Sequence, residues 1–255
     1  MTARPTTPIE LVVFDMAGTT IVDDGLVEQA FARAAERTGA VALPADEALQ
    51  YVRDTMGQSK IEVFTHLAAG DREAAARANA AFEDAYAELV DEQGVTEVPG
   101  AGDTVRALRA AGVQVALTTG FAPATRDAIL RHIDWTDEIV AALSPADVGR
   151  GRPAPDLVLG ALLRAGASSV AAVAVAGDTA SDMESGLRAG AGLVAGVLSG
   201  AHGRPALLRA GADAVIPDVT HLPALLGIRG RIVEADIEDA EDDSVAASFA
   251  PVSAR

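Results

Sequence analysis

The sequence predicts an α/β protein: a Rossmann-like parallel sheet core with a helical cap inserted after the first strand. Three observations predict it. Residues 9–14, IELVVF, form a short apolar run with β-branched members that delivers Asp15, as a buried strand does. From about residue 24 to 94 only helical periodicity appears. From residue 113 onward short apolar runs alternate with helical segments of about ten residues, the pattern of right-handed βαβ units around a parallel sheet.

The elements follow in chain order. After the first strand, DGLVEQAFARAAERTG places Leu26, Ala30, Phe31, Ala34 and Ala35 at helical spacing, and Gly39 offers a stop. ADEALQYVRDTMG and SKIEVFTHLAAG read as two shorter helices joined through MGQS, and DREAAARANAAFEDAYAELVDEQG as a long one. The apolar stripe over 24–37 suits packing within the cap or against a second copy, so a homodimer is a possible assembly. Strand VQVALTTG (113–120) then leads to helix APATRDAILRHI, and strand EIVAAL to helix PAPDLVLGALLRAG, with prolines in its first turn. Strand VAAVAVAGD (170–178), helix ASDMESGLRAG and strand GLVAGVLSG complete the pattern. These readings divide the chain into an α/β core domain (1–22 and 97–230), a helical cap domain (23–96) and a disordered acidic tail (231–255). The tail carries seven acidic and two basic residues without periodicity.

Composition narrows the function. The chain is 49% hydrophobic but only 4% aromatic, so its core must be built from Ala, Val and Leu, which suits helices on a buried sheet. A net charge of -17 repels nucleic-acid backbones and anionic lipid, which argues against both as partners. An anionic small substrate then needs local positive charge, such as a metal. The absence of Cys excludes disulfides and thiolate nucleophiles. The polar start, MTARPTTPIE, and the lack of any apolar run near the roughly 20 residues of a membrane span lead to the expectation of a cytoplasmic protein.

In a parallel sheet, sites form at the carboxyl ends of strands. Three predicted strands end in polar groups: Asp15, Thr118-Thr119-Gly120, and Gly177-Asp178. An Asp at a strand end often only caps a turn. After Asp15, however, MAGTT brings Gly18 and consecutive N–H groups that can nest an anion, an arrangement suited to carboxylate attack on phosphorus. Asp178 ends an apolar strand, and Asp182 stands four residues on, about one helical turn away. Several carboxylates this close stay ionised only around a cation, and Mg²⁺ favours such oxygens. Thr119 and Gly120 offer a hydroxyl and a backbone N–H. Arg152, or Arg150 in the same loop, precedes a helix where it can hold a phosphoryl oxygen. Lys60 is the only lysine of the chain; every other member of its 20 Lys and Arg residues is arginine. A lysine amine can lose its proton and attack a carbonyl, which a guanidinium cannot.

In this order, Asp15 with its glycine turn, Thr119-Gly120, a basic residue before a helix, and GDTASD resemble the haloacid dehalogenase superfamily of aspartate-nucleophile hydrolases, over about residues 9–228. Within it, DMAGTT, MGQSK, TTGF and GRPAPD are similar to the phosphonoacetaldehyde hydrolase (phosphonatase) branch. The resemblance implies Asp15 as nucleophile and Lys60 as the amine that forms a Schiff base. It implies a phosphate site at Thr119, Gly120 and Arg152, and Mg²⁺ held by Asp15, Asp178 and the Ala17 carbonyl, with Asp182 orienting that shell. Ordinary superfamily phosphatases carry a second Asp two residues after the nucleophile, where Ala17 stands here. The substrate implied is a small carbonyl-bearing phosphonate; the other reading is a small phosphate ester on the same fold. The chain departs from the branch at Val63, where a cap histidine is expected, at Phe121 in place of a tyrosine, and near Leu26 in place of a cysteine.

Overall fold

The computed structural model describes residues 7–23 and 25–228. The sequence-predicted acidic tail, 231–255, lies outside the described residues. The chain runs β1 (Leu11–Asp15), α1 (Leu26–Thr38), α2 (Ala45–Asp54), α3 (Lys60–Leu67), α4 (Arg72–Gln93), α5 (Ala101–Ala110), β2 (Gln114–Thr118), α6 (Pro123–Leu130) and β3 (Ala141–Leu143). It continues α7 (Pro145–Val148), α8 (Asp156–Ala165), β4 (Val173–Gly177), α9 (Ala180–Ala189), β5 (Leu193–Val197), α10 (Arg204–Arg209), β6 (Ala214–Ile216) and α11 (Leu222–Leu225). The six strands are parallel in the order β3-β2-β1-β4-β5-β6. The expected α/β class, with a helical cap after the first strand, is the observed one.

Alternate side chains of each strand go to opposite faces. Val12 and Phe14 of β1 join Val115, Leu117, Ala174 and Ala176 in one apolar cluster. Leu11 and Val13 join Ala116, Val173 and Val175 in another, closed by Leu157, Val158 and Ala161 of α8. Both faces are covered, which is why the strands read as continuous apolar runs.

The chain order reverses between β1 and β4. This is the topological switch point, beyond whose strand ends a crevice opens. Asp15 is in register with Thr118, and Phe14 with Ala176, so the polar groups of three strand ends lie near one level.

The helices that follow β1 share a core. The apolar stripe of α1 is buried within the cap, flanked by ion pairs from Arg33 and Arg37 to Glu88 and Glu92 of α4. Phe31 stacks on Phe64 (centroids 5.4 Å apart), and Phe64 meets Phe82 edge-on at 5.9 Å. The MGQS loop before α3 sits directly on the sheet's carboxyl end. At Gly120 a Cβ would run into the Gln58 carbonyl oxygen.

Sequence and structure differ at several elements. The EIVAAL run forms only a three-residue strand, because Thr136–Glu138 closes into a 3₁₀ turn and pairing begins beyond it. Helices α5, α7, α10 and α11 and strand β6 lie outside the pattern read from the sequence, and α8 begins at Asp156, so Pro153 and Pro155 precede the helix and do not sit in its first turn. Among the described residues no helix is long and apolar enough to cross a membrane.

Because the loop's contact with Gly120 is backbone against backbone, Gly120→Ala is expected to hold the loop off the sheet. The expected loss is about 10²-fold in kcat/KM, with unfolding free energy lowered by no more than about 3 kcal/mol. Steady-state kinetics with urea unfolding check this, and full turnover would mean that the loop need not seat there.

Candidate active site

Asp15, Ala17, Lys60, Thr119, Gly120, Arg152 and Asp178 all line one inner chamber of about 30 Å³ beneath the MGQS loop. Asp182 stands just behind it, with carboxylate oxygens of Asp15, Asp178 and Asp182 all within 4.8 Å of one another. The residues singled out in sequence therefore converge, apart from Arg150. That arginine is exposed and paired with Asp156 across both carboxylate oxygens, which leaves Arg152 as the buried cation.

Asp15 extends from β1 with 4% exposure. Its Oδ1 accepts from Arg152 Nη2 at 2.7 Å. Arg152 Nη1 donates to Asp182 Oδ1, whereas Arg152 Nε is buried with no partner. Asp182 also serves α9: its Oδ2 accepts from Thr179 N at 3.0 Å and Thr179 Oγ1 at 2.5 Å, completing a capping box. Asp178 accepts from Thr19 Oγ1 at 3.1 Å and from Ala201 N at 2.7 Å. Gly18, at φ +82°, lets the turn pass this carboxylate: a Cβ there would stand 2.5 Å from Asp178 Oδ2. Thr119 Oγ1 accepts from Phe121 N, which orients its hydroxyl oxygen at the mouth of β2.

The electrostatics follow from burial. Desolvation pushes the Asp15 carboxyl up to about 6; Asp182 adds to this and Arg152 opposes it. Asp178 is raised well above the carboxylate range by burial and by the charges of Asp15 and Asp182. Burial alone would weaken the charged form of Arg152, but Asp15 and Asp182 outweigh it and hold the guanidinium charged. Three buried carboxylates against one guanidinium leave an excess of negative charge that a hard divalent cation fits. Ala17 can add only backbone to that shell.

Lys60, the first residue of α3, is 8% exposed. Its Nζ lies 5.8 Å from the Phe82 ring centroid and 5.7 Å from that of Phe121. Desolvation lowers its pKa to about 8, with Asp23, Asp15 and Glu83 opposing the shift. At pH 7 about a tenth of the amine is then neutral, against less than about 0.1% for an ordinary lysine. Lys60, Gly120, Phe121 and Arg152 also border a wider outer cleft of about 690 Å³.

The positions where the chain departs from the phosphonatase pattern are also placed. Val63 is buried in the cap core, and Leu26 is buried at the start of α1. Phe121 packs on Tyr86 at 4.6 Å. His66 is exposed and stacks on Tyr51 at 4.0 Å, away from the chamber. Sequence reasoning missed Thr19, Thr179 and the backbone of Ala201 as supports of the acids, and Asp23 and Glu83 near Lys60. The pairing of a capping Thr with Asp182 three residues on was readable; the turn after β5 carried no chemical signature.

The fold and site together are those of an α/β protein with a buried, metal-competent acidic cluster at the switch point of its sheet. The haloacid dehalogenase-like hydrolase family model matches residues 9–190, and the chain belongs to that family. A phosphonoacetaldehyde hydrolase from Bordetella avium is 30% identical over 214 residues, spanning 75% of this chain and 72% of that protein. Among solved structures, a hydrolase from Pseudomonas syringae is 28% identical with TM-score 0.73, covering 87% of this chain and 99% of its own. A phosphonoacetaldehyde hydrolase-like protein from Oleispira antarctica shares the fold, with TM-score 0.74 at 22% identity, covering 89% and 94%.

The raised pKa of Asp15 makes the metal-free folded state lose stability as pH climbs from the ordinary carboxylate range through about 6. A cation removes that cost where Asp15 is ionised and competes with protons below it. Mg²⁺ is therefore expected to raise the melting temperature of chelator-treated protein at pH 8 and to lose this effect as pH falls below about 6. Thermal scans at the two ends check it; a shift independent of pH would place the ion elsewhere.

Proposed function

We propose that this chain is a Mg²⁺-dependent hydrolase of the C–P bond of a small carbonyl-bearing phosphonate, acting through a Lys60 Schiff base. The observation that carries the reading is Lys60 itself: a desolvated amine with pKa about 8 that shares one chamber with Asp15. The similarity to phosphonoacetaldehyde hydrolases supports the substrate class.

Cleaving a C–P bond leaves electrons on carbon, and a proton donor aimed at an oxygen leaving group does not help. An iminium formed by Lys60 with the β-carbonyl accepts those electrons as an enamine. Ala17 fits this chemistry because no oxygen-directed acid is needed there. Asp15 attacks phosphorus and carries the phosphoryl group until water releases it. The unpartnered Arg152 Nε, the Thr119 hydroxyl and the Gly120 N–H are the donors for its oxygens. Asp15, Asp178 and the Ala17 backbone would hold Mg²⁺, oriented through Asp182, and the ion supplies positive charge to the phosphoryl oxygens. Small phosphonates or phosphates are the proposed partners.

Borohydride added during turnover of phosphonoacetaldehyde is expected to fix a secondary amine on Lys60, read by intact mass and a peptide map. Lys60→Arg is expected to lose both the adduct and C–P cleavage, while keeping the charge. A Lys60→Arg enzyme that still cleaves the phosphonate would return the site to the phosphate-ester reading. Ala17→Asp is expected to raise the ratio of phosphatase to phosphonatase activity, measured on phosphonoacetaldehyde beside a panel of phosphate esters; a fall in that ratio would count against the role given to Ala17.

A further inference from the structure

We propose that Asp23 is the acid–base group that serves Lys60, taking the proton from its ammonium and delivering it to the hydroxyl that leaves as the imine forms. The proposal rests on the Schiff-base reading above and adds the residue that moves its protons. Asp23 lies between the Gly18 turn and α1, and it lines the same inner chamber as Lys60. That chamber, about 30 Å³, has room for a water to relay a proton between the two.

The charged groups acting on Lys60 are Asp23, Arg152, Asp15 and Glu83, and Asp23 has the largest effect. Those acting on Asp23 are Lys60 and, more weakly, Glu28. Burial holds the Asp23 carboxyl above its ordinary range, which brings it closer to the amine it would exchange with. Among the described residues its carboxyl accepts only from the first turn of α1, with Val27 N at 3.4 Å.

The other acids near Lys60 are committed. Glu83 accepts from Ala122 N at 3.2 Å and from Thr125 Oγ1, so both its oxygens hold the start of α6. Asp15 is bound to Arg152 and faces phosphorus in the proposed reaction. The Tyr86 phenol is pushed up by burial and by the charges of Asp23 and Glu83, out of the range for exchange at neutral pH.

The step balances. The Asp23 carboxylate takes one proton from the Lys60 ammonium, and the neutral amine forms the N–C bond to the carbonyl. A proton passes from nitrogen to the carbonyl oxygen, which gives the carbinolamine. The protonated Asp23 then donates to the hydroxyl, the C–O bond breaks, and water leaves. The nitrogen lone pair forms the C=N bond. Aldehyde and ammonium become iminium and water, and Asp23 ends as it began.

The test uses a probe that needs no phosphoryl chemistry. Acetylacetone converts a reactive lysine to a conjugated enaminone, followed by its near-ultraviolet absorbance. Asn is nearly isosteric with Asp and caps helices as well, so Asp23→Asn keeps the contact with α1 while removing the proton carrier and its charge. If Asp23 were merely a neighbouring charge, its loss would lower the Lys60 pKa further and speed the adduct at pH 7. As a proton carrier, its loss is expected to slow the adduct about 10²-fold. Asp23→Glu is expected to fall between, with a shifted pH–rate profile. An Asp23→Asn protein that reacts as fast as the wild type, or an Asp23→Glu protein with the wild-type profile, overturns the role of Asp23 alone. A wild-type protein that forms no enaminone on Lys60 overturns the Schiff-base reading and this proposal with it.

Discussion

The guanidinium of Arg152, locked between Asp15 and Asp182 out of contact with water, is the interaction on which the site depends. Burying one charge is costly and burying four is tolerable only when they offset one another. Arg152 offsets two of the three carboxylates, and burial together with the remaining imbalance raises the carboxyls of Asp15 and Asp178. The same guanidinium keeps one N–H without an acceptor. With its carboxylates ionised, the cluster is thus short of two positive charges on one side and of one oxygen acceptor on the other. In the proposed reaction a divalent cation and a phosphoryl group would supply both.

The sheet explains why these groups meet. Asp15 and Asp178 end neighbouring strands on either side of the switch point, so no loop has to fold back to join them. The amine comes from the opposite direction, on a helix of the cap. That division separates two chemical demands. The strand ends build a polar, charged floor, while Phe82 of the cap and Phe121 of the core flank Lys60 and keep it from water. A single surface would find it hard to carry buried carboxylates and an amine of lowered pKa within one small chamber.

Much of this was legible in the chain, and the limits have physical causes. Asp15, Thr119 and Asp178 were readable because buried parallel strands are continuous apolar runs and their ends stand out. Lys60 was readable because it is unique. The Arg152–Asp182 pair was not, since thirty residues separate the partners and only the fold sets their distance. Strand β6 is three residues long and half-buried, too short to show a period. Helix α5 follows a glycine-rich stretch that masks its start. Asp23 looked like a boundary residue, and Glu83 like one more acid on a long helix; nothing local tells a carboxylate that faces a chamber from one that faces water.

The aromatic side chains carry a last consequence. Phe31, Phe64, Phe82, Tyr86 and Phe121 form one contiguous run from the cap interior to the end of β2. Phe121 is the one member that the cap does not own, so the apolar wall around Lys60 is shared between the cap and the core. The burial that lowers the amine to about 8 therefore belongs to neither part alone. It exists only where Phe82 and Phe121 meet, in the chamber that also holds Asp15.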